Sequence, residues 1–272
     1  MKYKLIASDL DETLLNENHH VCQKNIDLIK KARDLGVKFV PATGRLFTGA
    51  IDVLKELDLY DKEGEYVLSA NGGIITENKG NKILKCCGLT LDKTKELFAF
   101  GKQYNICIQI HTLNNIFIYN INEDEKQRVT HQGVKFSEFE EENLDFLKDE
   151  KIIKMLFETT DIPYLESLEP KLQSIVEGVV SVSYSSSRYM ELNQLGVDKG
   201  QGLKDLANLL NISLDEIIAV GDHFNDIDLL KTAGLSVAAG NAIEEVKAIC
   251  DYTTKANHNE GVLAEVIEKF IL

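Results

Sequence analysis

Short runs of buried-type residues, each followed by a stretch of helical periodicity, limit this chain to one broad class of fold. Tyr3–Ser8 is an apolar run of strand length. Ile26, Ile29 and Ala32 then fall on one face of a helix that Gly36 ends. Val37–Val40 reads as a second buried strand, and Phe47, Ala50, Ile51, Leu54 and Leu57 recur at the spacing of an amphipathic helix. Tyr66–Ala70 is a third strand, stopped by Asn71-Gly72-Gly73. The rhythm returns near the C-terminus. There Leu203, Leu206, Ala207 and Leu210 mark a helix, and Glu216–Val220, Leu235–Ala238 and Asp251–Thr254 are short strands. Further helices are expected over about Ala242–Ile249 and Gly261–Phe270. Parallel strands need a crossover between them, and a helix after each strand provides it. The expected fold is therefore α/β, a doubly wound, mostly parallel sheet of Rossmann-like type with helices on both faces.

An insertion interrupts it. From about Lys82 to Glu191 the texture changes to α+β. Strands are expected at Ile106–Ile110, Ile116–Asn120, Ile152–Glu158, Val179–Tyr184 and Arg188–Leu192, with helices at Leu91–Tyr104 and Pro163–Glu177. Asp161 stands where an N-cap of the second helix belongs. The polar tract Asn122–Glu150 reads as a solvated helix and loop. The domains expected are thus residues 1–81 with 192–272, and an inserted α+β domain over 82–191.

A formal charge of −14 argues against nucleic acid or an anionic membrane as partner, since both require a basic surface. No apolar run approaches a membrane span, and the start of the chain lacks the apolar stretch of a signal peptide. Five cysteines, odd in number and without metal-ligand spacing, suit reduced thiols and a cytoplasmic protein. A monomer or weak homo-oligomer is expected.

Chemistry concentrates where strands end, which is where open parallel sheets bind their ligands. Asp9-Leu10-Asp11-Glu12-Thr13 follows the first strand. Two carboxylates two residues apart can face one point, one attacking a phosphorus atom and the other handling the leaving-group proton. Their mutual repulsion is relieved by a divalent cation. Alone, the pair reads first as a solvated turn with an N-cap Asp. Thr43-Gly44-Arg45 follows the second strand, where a hydroxyl and the next backbone N–H groups make an anion cradle or a plain helix cap. Lys199 opens the helix after the insertion and can set a point charge on a phosphate. Gly221-Asp222-His223-Phe224-Asn225-Asp226 follows an apolar strand with two carboxylates and an amide, a donor set suited to Mg²⁺.

In this order the motifs resemble those of the haloacid dehalogenase-like hydrolase superfamily, and within it the Cof-type phosphatases with a large α+β cap. Ser69-Ala70-Asn71-Gly72-Gly73, Gly240-Asn241-Ala242 and Asn259-Glu260-Gly261 extend the likeness. The resemblance implies that Asp9 is a nucleophile forming an aspartyl-phosphate and that Asp11 is the general acid and then base. It implies that Thr43, Gly44 and Lys199 hold phosphoryl oxygens, and that Asn225 contacts Lys199 or the phosphate. Mg²⁺ would be bound by Asp9, Asp11 (through its carbonyl), Asp222 and Asp226, the last directly or through water. Arg45 would reach substrate or the cap, which would close over a small phosphate ester, by resemblance a sugar phosphate. Nucleotides, flavin mononucleotide and pyridoxal phosphate stay open, as does transfer by a phosphotransferase or phosphomutase. A non-catalytic binding module would have lost a motif residue, and none is lost. Glu12 stands where many relatives have Gly or Asp, and is expected to point away from phosphate. His19-His20 and Cys86-Cys87 lack further ligands at zinc-like spacing, and the cysteine pair is expected in the hinge between domains.

Overall fold

The computed structural model describes residues 2–131 and 135–272; Met1 and residues 132–134, inside the tract expected as a solvated helix and loop, lie outside the described residues. The first half of the sheet forms as its pattern demands. Strand β1 (Leu5–Ser8) leads to helix α1 (Gln23–Asp34) and strand β2 (Lys38–Pro41). A 3-10 turn over Phe47–Ala50 then runs into helix α2 (Ile51–Glu56). Strand β3 (Tyr66–Ser69) turns into an antiparallel hairpin, β4 (Ile74–Glu77) and β5 (Lys82–Cys86), that the alternation did not foretell.

The insertion follows with helix α3 (Leu91–Gly101), strands β6 (Cys107–Thr112) and β7 (Ile116–Tyr119), and helix α4 (Glu123–His131). Strand β8 (Phe136–Phe139), in the tract read as helix and loop, pairs parallel with β7. Its Phe139 is buried with Leu144 and Leu147, so part of that tract serves the core. Strand β9 (Ile152–Glu158), helix α5 (Ile162–Val176), and strands β10 (Val180–Ser185) and β11 (Tyr189–Gln194) complete the insertion. Asp161 caps α5, accepting from the Tyr164 N–H at 3.0 Å. One face of this six-stranded sheet carries Ile108, Ile110, Met155, Phe157, Met190 and Leu192 against the apolar stripes of α3 and α5. The other face sets Leu156 and Ile118 among polar side chains. It holds the Lys154–Glu191 ion pair at 2.7 Å, and Gln109 donating to Glu125 at 2.8 Å.

Helix α6 (Lys199–Leu210), strand β12 (Ile217–Gly221), helix α7 (Ile227–Thr232) and strand β13 (Leu235–Ala238) return to the first sheet. Helix α8 (Glu244–Lys247), strand β14 (Tyr252–Thr253) and helix α9 (Val262–Phe270) end the chain. The strand order is β14-β13-β12-β1-β2, all parallel. A parallel bridge between Ala42 and Leu68 carries β3 on beside β2. Alternation sorts the strands between two cores. Ile6, Phe39 and Ile218 pack with α1 and α9, whereas Leu5, Ala7, Val40 and Ala219 pack with α6 and α7.

The chain divides into two compact units, Met1–Cys86 with Asp198–Leu272, and Cys87–Val197. The junctions read from the sequence, near 82 and 191, differ from these by a few residues. Strand β5 bonds to β4 in the first unit, and β11 runs on to Gln194 in the second. Cys86 and Cys87 lie on either side of the first junction, and no described helix is long and apolar enough to cross a membrane.

Candidate active site

The chain winds outward from β1 to β2 and then resumes on the other side of β1 with β12. The direction of winding therefore reverses between β1 and β12, and the loops leaving these two strands part to leave a crevice at their carboxyl ends. Asp9 leaves β1, its N–H bonded to the Val220 carbonyl at 3.0 Å. Asp222 leaves β12. Thr43 leaves β2 and is anchored by its N–H to Leu68 O at 2.8 Å.

Lys199 is delivered to the same place from α6. Asp198 caps that helix, accepting from the Gln201 N–H at 2.7 Å. Glycines allow its first turn to sit deep. Gly72 has φ of +83°, and a Cβ there would lie 2.4 Å from the Asp198 carbonyl oxygen. A Cβ at Gly202 would lie 2.6 Å from the Gly72 Cα, so two bare backbones make the contact. Lys199 is consequently wholly buried, its Nζ 2.6 Å from Asp9 Oδ1 and 2.6 Å from Asp226 Oδ1. The second Asp226 oxygen accepts from the Asp222 and His223 N–H groups at 3.0 and 3.2 Å, which fixes the loop after β12. Gly221 leaves room for the Asp226 side chain, whose Cβ an added Cβ would meet at 2.5 Å and whose carboxylate carbon at 2.6 Å.

Asp9, Asp222 and Asp226 thus converge, with one oxygen from each within 4.8 Å of the others, all buried. Three acids and one ammonium leave the cluster short of positive charge. Burial and then the Asp226 charge push the Asp9 carboxyl well above its ordinary range, against the pull of Lys199. Burial likewise pushes Asp222 up to about 7, opposed by a hydrogen bond from the Thr13 hydroxyl and reinforced by Asp226 and Glu12. Burial alone would lower the Lys199 pKa, but the Asp226 and Asp9 charges overcome it and raise it. Such a buried set of acids can hold a metal ion.

Of the residues singled out from sequence, Asp9, Lys199, Asp222 and Asp226 meet here. Thr43 is buried at the end of β2, where its Oγ1 accepts from the Arg45 N–H at 3.1 Å. Gly44 lies beside Asn71, whose Oδ1 a Cβ at 44 would meet at 3.0 Å. The Asp11 carboxylate stands outside the three-acid cluster and is bound by Arg45 through two bonds. Asn225 is exposed, and the contact with Lys199 belongs to Asp226 instead. Glu12 is exposed with φ of +58°, its carbonyl accepting from Asn241 Nδ2 at 2.8 Å. Of the histidine pair, His20 is taken by Glu56 at 2.7 Å.

Thr13 and Asn241 stand within motifs the sequence displays, but nothing there assigns them a role. Both act through contacts more than two hundred residues away.

The chain thus sets carboxylates at adjacent ends of a parallel sheet beside a buried lysine from a following helix, an arrangement of the α/β class. The chain belongs to the haloacid dehalogenase-like hydrolase family, whose model matches residues 6–267. It is similar to YxeH of Bacillus subtilis, at 31% identity covering 99% of each chain. It is also similar to a phosphoglycolate phosphatase of Methanobrevibacter smithii, at 31% identity covering all of both chains. Among solved structures, a haloacid dehalogenase-like hydrolase from Bacteroides thetaiotaomicron superposes with a TM-score of 0.87 at 29% identity, covering 99% of this chain and 100% of that one.

Proposed function

We propose that the protein is a magnesium-dependent phosphatase that attacks a small phosphate ester, of the sugar-phosphate class, with Asp9. One observation carries this reading. The Asp9 carboxylate is buried at the end of β1 in a cluster with too few cations, and Lys199 holds one of its oxygens at 2.6 Å. The donor set fits the metal: three buried carboxylates with oxygens within 4.8 Å of one another form a hard, anionic site. Asp9, Asp222 and Asp226 would hold it, with the Asp11 carbonyl. When bound, the ion supplies positive charge to neutralise phosphoryl oxygens.

The chain's own groups do the rest. An Asp9 oxygen attacks phosphorus, the ester P–O bond breaks, and Asp11 gives its proton to the departing oxygen. Water then attacks the phosphorus of the aspartyl-phosphate, giving a proton back to Asp11, and phosphate leaves as Asp9 is restored. Lys199, the Gly44 N–H and the Thr43 hydroxyl bind the phosphoryl oxygens. That hydroxyl already accepts from Arg45 N–H, so its own proton is available to donate. Asn225, exposed on its loop, completes the phosphate contacts.

The relative from Methanobrevibacter smithii is named for phosphoglycolate, a small phosphate ester, which supports the reaction class. The test is phosphate release from a panel of sugar phosphates, nucleotides and small-acid phosphates with Mg²⁺. Wild-type protein is expected to be active on at least one, and Asp9→Asn to reduce it by at least about 10³-fold, the scale of losing an activated nucleophile. Activity intact in Asp9→Asn rules the mechanism out.

A further inference from the structure

The Arg45 side chain is bound within the chain through its guanidinium. Its Nε donates to Asp11 Oδ2 at 3.0 Å, a second nitrogen bonds Asp11 Oδ1, and the third donates to the Gly49 carbonyl at 3.2 Å. Each guanidinium nitrogen is thus bonded within the chain, using three of the five N–H donors. The stem is seated as well, since a Cβ at Gly49 would come within 3.2 Å of the Arg45 Cβ and 3.5 Å of its Cδ. The Arg45 backbone is held at both ends: its N–H donates to Thr43 Oγ1, and its carbonyl accepts from Ala70 N–H at 2.7 Å. One residue thus ties the loop after β2 to the side chain of Asp11 in the loop after β1.

We propose that Arg45 is a positioning residue for Asp11, a two-pronged clamp that sets where the general acid stands, and not a ligand of the substrate. The proposal rests on the phosphatase reading above. In its first step the electrons of the ester P–O bond pass to the ester oxygen, which takes the Asp11 proton, and Asp11 is left as a carboxylate. A guanidinium fork bound through two parallel N–H···O contacts matches that product. Arg45 therefore contributes when the departing oxygen needs a proton, and little when it leaves readily as an anion.

The experiment measures kcat/KM for wild type, Arg45→Met and Arg45→Lys on two probes, p-nitrophenyl phosphate and phenyl phosphate, at saturating Mg²⁺. Phenol, like tyrosine, has a pKa of about 10, so its oxygen leaves poorly without a proton; p-nitrophenolate leaves well. The fall in Arg45→Met is expected to be about 30-fold greater on phenyl phosphate, part of the full worth of general-acid catalysis. Arg45→Lys, which keeps the charge but loses the fork, should fall between. Inhibition by inorganic phosphate should stay within about twofold of wild type, because phosphate contacts are untouched.

Equal losses on both esters, or weakened phosphate inhibition, would make Arg45 a substrate ligand and overturn the proposal; so would wild-type rates in Arg45→Met. Should Arg45→Met fail to fold by circular dichroism, Gly49→Ala displaces the stem instead. It must show the same preference for loss on phenyl phosphate or the clamp is refuted. Wild-type protein inactive on both esters refutes the phosphatase reading, and this proposal with it.

Discussion

Replacing Lys199 by methionine tests the electrostatic account of the site most directly. The ammonium is wholly buried and 2.6 Å from carboxylate oxygens of both Asp9 and Asp226. Methionine keeps much of the stem's volume and packing but leaves two buried acids without their cation. Breaking a buried pair in this way costs about 3–5 kcal/mol. For a unit of this size each kcal/mol is worth about 2–4 °C, so metal-free Lys199→Met should melt roughly 10 °C below wild type at pH 8. The deficit should shrink toward pH 5, where the raised Asp9 carboxyl takes up a proton and no longer needs a partner. Added Mg²⁺ should recover part of it by supplying another cation. Phosphatase activity should fall by at least about 10²-fold, as for other lost charge-stabilising donors. The assay is calorimetric melting of both proteins in chelator at pH 5 and pH 8, then with Mg²⁺. A difference under about 3 °C at pH 8, or one that grows toward pH 5, would show that Lys199 is not balancing these acids.

Two further outcomes follow from the same loops. Burial raises Asp222 from 3.8 to about 7, so the folded, metal-free chain keeps a proton that the unfolded chain gives up in that window. Its contribution is present below pH 3.8 and is lost as pH rises through about 7, so wild type should lose stability relative to Asp222→Asn from pH 5 to pH 8. A wild-type-minus-variant melting difference that is flat with pH would count against the raised carboxyl. Glu12 occupies φ of +58°, a conformation glycine adopts without strain. Glu12→Gly should be neutral to stabilising by up to about 1 kcal/mol, read as unchanged or higher melting temperature. A fall of several degrees would mean that the Glu12 side chain does more than its exposure suggests.

Much of this is legible in the sequence, because the signals are local. Whether a run of residues becomes a strand or a helix depends on neighbours within a few positions. The alternation from Tyr3 to Ala70 thus announced a parallel sheet, and the insertion stood out by its change of texture. The hairpin β4–β5 was hidden, since Ile74–Glu77 and Lys82–Cys86 carry charges and no glycine-type two-residue turn. Strand β8 was hidden because pairing with β7, and not its own composition, makes Phe136–Phe139 extended.

The site divides along the same line. Asp9, Thr43, Lys199 and Asp222 could be named from the sequence because each stands at a strand end or a helix start, and topology alone brings such points together. The partner each charge takes could not be named. Asp226, read as a metal ligand, also holds Lys199 with one oxygen and two loop N–H groups with the other; Arg45, read as reaching outward, is bound to Asp11. A buried charge must find a partner, and which one it finds depends on distances set by packing. For Lys199 and Asp9 that packing joins side chains 190 positions apart, through two glycines whose bare backbones let a helix end reach the sheet.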